Sequence, residues 1–150
     1  MNALAIPIGS NVVLGVVLLG LLYRRRGPDD ARLAGPDEAL IHYRAFDPAA
    51  EGSATLASDG RAALVELDDG SLGLVERRGR RWAARALDPS ELAGFDANEG
   101  GVLTLRFADF GWPRAQVRLT DLETRRHWLD RLGALRAGAG VNVRPEVPNA

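Results

Sequence analysis

The 150-residue chain contains no cysteine. Disulfides, thiolate metal sites and cysteine nucleophiles are thereby excluded. Lysine is missing too: all 19 basic residues are arginine. With alanine and glycine abundant, this reads as the codon bias of a GC-rich bacterial genome, and it warns against giving every arginine a purpose. Histidine is scarce, with only His42 and His127, and neither stands at the spacing of a catalytic triad or a metal-ligand motif. There is no G-x-S-x-G, no H-E-x-x-H and no P-loop. No catalytic residue, metal ligand or cofactor is assigned, and an enzyme is not expected. The net charge of −1 gives no general attraction to nucleic acid, so none is expected as a partner.

What the chain does have begins with a long uncharged run. None of the 21 residues from Ala3 to Tyr23 is charged. As a helix they would extend roughly 31 Å, close to the hydrocarbon thickness of a bilayer. Nothing basic precedes the run, as a secretory signal requires, and no A-x-A-like site directly follows it. Arg24, Arg25 and Arg26 follow instead, and the positive-inside rule keeps that flank in the cytoplasm. Tyr23 would lie at headgroup level. The expectation is a single-pass protein of the bacterial inner (cytoplasmic) membrane, its N-terminus outside, with residues 1–26 as anchor and basic flank. Ala5, Gly9 and Gly20 form one small-residue stripe on the helix; Asn11 and Gly15 share another face. Those faces either pair the helix with itself or a larger membrane protein, or reflect the ordinary glycine content of membrane helices with Asn11 reaching water or headgroups.

Residues 27–37 hold two Gly-Pro pairs and read as a short linker, and 138–150 as a disordered tail. Between them, 38–137 reads as a cytoplasmic domain. Arg61–Leu67 and Ser71–Arg77 flank Asp68-Asp69-Gly70, a hairpin signal, and a tight turn at Gly79 leads into Arg80–Leu87. There, Trp82, Ala84 and Ala86 alternate with Arg81, Ala83 and Arg85, so the first set faces the core and the second, charged face meets solvent. Val102–Phe107 points Leu103, Leu105 and Phe107 inward; Arg114–Leu119 does the same with Ala115, Val117 and Leu119. The pattern predicts a five-stranded antiparallel meander with one buried face. A final helix is predicted from a capping box, with Thr120 as N-cap and Glu123 three residues on, and Gly138 as its stop. Its apolar stripe is Leu122, Trp128, Leu129, Leu132 and Leu135. The spacing predicts a strand over 39–45 and a short helix over 48–57, started by Asp47-Pro48.

Two stretches, LDPSELAGFDANEGGVLTLRF (87–107) and RLTDLETRRHWLDRL (118–132), give the domain a likeness. Strand meander, looped link, two more strands and a closing helix with a central Trp resemble the pleckstrin-homology-like superfamily, over roughly residues 60–137. The resemblance implies an α+β, mainly antiparallel fold: a partly open barrel closed by the C-terminal helix. His127 stands where the family often has an acidic residue before Trp128. The family's phosphoinositide motif needs a lysine and so does not carry over; a binding or scaffolding use is what the resemblance implies.

Two surfaces stand out. Arg77, Arg78, Arg80 and Arg81 crowd one hairpin tip, either to meet anionic lipid headgroups or another phosphorylated ligand, or as a solvated turn paired with Glu66 or Glu76. Phe110 and Trp112 lie in the last strand-to-strand connection, either folded back over the core or exposed to a partner. The functional expectation is an inner-membrane adaptor or accessory subunit that binds protein through its cytoplasmic module and a membrane partner, or itself, through its anchor. The alternative is a sensor of the bilayer surface.

Overall fold

The computed structural model describes residues 31–139. From Arg32 onward they belong to one compact unit. Its elements are α1 (Pro36–Phe46), β1 (Gly52–Leu56), β2 (Ala62–Leu67), β3 (Leu72–Arg78), β4 (Arg81–Ala86), β5 (Leu92–Ala97), β6 (Val102–Phe107), β7 (Arg114–Arg118) and α2 (Leu122–Ala139).

The hairpins form where the turn residues place them. Gly70 and Gly79 take positive φ, at 86° and 61°, which side chains resist. The Asp69 carboxylate accepts the main-chain N–H and hydroxyl of Ser71, fastening the first turn. Strands β1 to β4 pair antiparallel in sequence order, with Leu64 opposite Leu74 and Val75 opposite Ala84. At Asp88-Pro89-Ser90 the chain leaves this sheet. The Asp88 carboxylate accepts both the N–H and the hydroxyl of Ser90 in a local turn, and a second sheet of β5, β6 and β7 follows.

The barrel expectation is corrected here. Among the described residues the strands form two open antiparallel sheets, of four and three strands, with no closed barrel. Two of the strands, β1 and β5, were not in the five-strand meander. The short stretch 39–45 is helix, and 52–56 is strand, the reverse of the sequence expectation. Pro36 at the first helical turn starts α1, and Ala39, Leu40 and Tyr43 recur at helical spacing on its buried side. Asp47 starts no helix: its carboxylate accepts the N–H of Ala49, and its carbonyl accepts that of Ala50, closing a turn.

The single buried face is corrected for the same reason. On one side of the first sheet Ala62, Leu64, Leu72 and Leu74 join Leu103, Leu105, Phe107, Val117, Trp128 and Leu132 in the main core. On the other side Ala63, Val65 and Val75 pack with Ala39, Leu40 and Tyr43 of α1. Strands covered on both faces need no polar alternation, which is why RAALVEL reads as nearly continuous apolar sequence. Leu33, inside the stretch read as linker, is buried in this second cluster and donates its N–H to Gly60.

The last helix is capped one residue later than expected, and it runs through Gly138, the expected stop and first residue of the expected tail, to Ala139. Asp121, not Thr120, accepts the N–H and hydroxyl of Thr124. Trp128 and Leu132 are buried and Leu129 and Leu135 pack against the core, while Leu122 stands 52 % exposed. Glu66 of β2 fastens the helix from outside the apolar stripe, with His127 at 3.1 Å and Arg131 at 2.8 Å.

Among the described residues no helix is long and apolar enough to cross a membrane. The stretch 3–23, with Ala5, Gly9, Asn11, Gly15, Gly20 and Tyr23, and the flank Arg24, Arg25 and Arg26, lies outside the described residues. No membrane-crossing helix among the described residues stands behind the single-pass inner-membrane topology, and that expectation is withdrawn. With it go the bilayer and membrane-protein partners, the membrane adaptor and the bilayer-surface sensor, because each depended on that span.

Candidate functional site

The β6–β7 connection, residues 108–113, is short, and most of it is tied down. Phe107 donates its N–H to the carbonyl of Pro113, closing the base, and Ala108 donates to Glu91. Within the loop the Asp109 carboxylate accepts the N–H of Gly111 at 2.8 Å, an Asx turn. Trp112 then folds inward, only 9 % exposed, as part of the main core. Its indole Nε1–H donates to Glu76 Oε2 at 2.8 Å. The Arg78 guanidinium lies 4.7 Å from the Trp112 ring centroid and donates to the carbonyl of Gly111 at 3.0 Å.

Beneath this sits Arg85, the one buried charged side chain among the described residues, at 8 % exposure. A buried guanidinium costs heavily unless its hydrogens and charge are answered. Here Nη2 donates to Glu91 at 2.8 Å, Nη1 donates to the Trp112 carbonyl at 3.2 Å, and Asp109 lies 3.6 Å away. The Phe107 ring centroid is 3.9 Å from its Cζ. Arg85 thus holds the loop main chain and both flanking carboxylates in one arrangement. Burial pushes the Glu76 carboxyl above its ordinary range, against the pull of the Trp112 N–H, the Gln116 main-chain N–H and the Arg78 charge.

One residue escapes this bracing. Phe110 is fully exposed, at 102 %. The two loop aromatics, weighed together from the sequence, have opposite fates: Trp112 is the foot of the loop and Phe110 its tip. No family model, curated protein or solved structure matches the chain. The site must therefore be read from its own chemistry.

The arginines of the hairpin tip do not share one face. Strand alternation turns Arg77 and Arg78 to opposite faces. Arg77 stands 5.4 Å from the Trp82 ring, whereas Arg78 braces Trp112. Arg80 and Arg81 are exposed at the turn itself. Two features escaped sequence reading. Arg85 was placed on the solvent side of β4, and nothing in its neighbours signals that the second sheet covers that side. Trp82 was placed in the core; it lies half-buried against α1, stacked on the His42 ring at 5.3 Å. Among the described residues no group of three or more His, Asp or Glu could hold a metal ion.

Proposed function

We propose that the domain is a non-catalytic protein-recognition module that docks Phe110 into an apolar pocket of another protein. A fully exposed phenyl ring on a loop whose neighbouring groups are already fixed carries this reading. Apolar aromatic anchors dominate protein contacts, and an anchor ordered before binding loses little further freedom on docking. Trp112, Arg78 and Arg85 supply that order from below. His42 and His127 are engaged with Trp82 and Glu66 on separate elements, which supports a binding rather than a catalytic role. Kinship with the pleckstrin-homology-like superfamily is part of the proposal. It is supported by a Trp-bearing helix following the last strand, and it requires no closed barrel.

The test places a photoreactive phenylalanine at position 110 of the full chain in its native cells. The expected result is one discrete cross-linked protein, absent when the probe sits at the exposed controls Ala93 or Glu99 and reduced by Trp112→Ala. Equal cross-linking from the controls would overturn the reading.

A further inference from the structure

We infer that the protein receiving Phe110 presents an acidic surface, read by the outer face of the β6–β7 hairpin. The inference rests on the Phe110 reading and adds the partner's chemistry. Leu103, Leu105, Phe107, Ala115 and Val117 point into the core. Alternation therefore turns Thr104 and Arg106 of β6, and Arg114, Gln116 and Arg118 of β7, to the opposite face. Arg114, Gln116 and Arg118 are all exposed there. Arg106 stands directly across from Arg114 in the strand register, an unfavourable pairing of like charges. Asp96 of β5 answers only Arg106. Among the described residues the side chains of Arg114 and Arg118 make no hydrogen bond or ion pair.

Position joins this charge to the anchor. Arg106 and Arg114 flank the base of the same loop that carries Phe110 at its tip, and Arg118 continues the row along β7. Neighbours on one face of a strand are roughly 7 Å apart, the same interval at which an extended acidic segment presents its carboxylates. A protein covering the hairpin would thus set acid against Arg114 and Arg118 as its pocket takes Phe110. Nucleic acid fits less well. The residues separating the arginines are Thr104 and Gln116, which offer bases no aromatic platform, and the chain as a whole is slightly acidic.

The experiment titrates the full chain with a fluorescein-labelled decaglutamate and, separately, with a single-stranded oligonucleotide. Saturable decaglutamate binding is expected, weakening steeply as salt rises to about 0.5 M. The variant R114Q/R118Q should bind about fivefold more weakly or worse, with its melting temperature preserved. R126Q/R136Q, which removes two charges from α2, should bind like the parent, as should Phe110→Ala. Equal binding by R114Q/R118Q, or equal loss in R126Q/R136Q, overturns the inference, as does an oligonucleotide bound more tightly than decaglutamate. Loss of the position-110 cross-link with decaglutamate binding intact instead defeats the Phe110 reading alone.

Discussion

The ring of Tyr43 occupies the space that a side chain at Gly73 would need. A Cβ built on Gly73 would stand 2.3 Å from Tyr43 Cε2, far inside contact distance. The missing side chain lets α1 settle onto the middle of the first sheet, where Tyr43 is almost wholly buried. That contact gives the sheet its second covered face, so its disruption is the most direct check of the fold.

Gly73→Ala should cost about 1–3 kcal/mol, because the added methyl has no room while Tyr43 keeps its place. Tyr43→Ala should also destabilise, by loss of packing. The double variant should lose clearly less than the sum of the two, since the alanine at 73 then meets no ring. Urea unfolding of the three proteins decides this; strict additivity would remove the contact from the account.

Trp112→Phe keeps an aromatic ring but deletes the donor to Glu76. A loss of about 1–2 kcal/mol is expected, the value of a hydrogen bond to a partly buried carboxylate. Amide exchange at Phe110 and Gly111 should quicken in the variant, because the foot of the loop is loosened. Unchanged exchange would mean the loop does not depend on Trp112.

Glu76 gives a pH signature whose sign follows from its raised folded-state pKa. As pH climbs past the unfolded carboxyl value, about 4.3, the unfolded chain releases its proton while the folded one still holds it. This group's contribution therefore declines with rising pH through that window and levels off above the folded value. Glu76→Gln cannot titrate, so its stability relative to the parent should improve between pH 4 and neutrality. Parallel urea midpoints across that range would exclude the effect.

At the start of α2 the sign is opposite. The hydroxyl and N–H of Thr124 hold the Asp121 carboxyl below its ordinary range. Its stabilisation is present above the unfolded value of about 3.9 and disappears as pH falls through the lower folded value. Asp121→Asn should lack that acid-side loss, and Asp121→Ala should lower the melting temperature more than Glu123→Ala does. The reverse ranking would restore Thr120 as the cap.

The legible parts of this fold were those set by local chemistry. Asp68-Asp69-Gly70 and Gly79 dictate their turns because few residues tolerate that backbone, and the alternation in Val102–Phe107 and Arg114–Leu119 marks the core side of each strand. The stripe from Trp128 to Leu135 likewise marks the last helix. The loop aromatics were visible as a candidate site, but not which of them would be buried.

Tertiary structure decided what depends on covering both sides of an element. Helix α1 was misread as a strand, since eight residues, Ala39–Phe46, carry too few turns to separate a helical period from an alternating one. Once α1 lies on the first sheet, Trp82 and Ala84 face it, and Arg85 is turned beneath the second sheet instead of into water. That burial is tolerable only because Glu91, Asp109 and the Trp112 carbonyl converge on one guanidinium from 6, 24 and 27 residues away. No local pattern encodes such a convergence, and it is what leaves Phe110 alone at the tip.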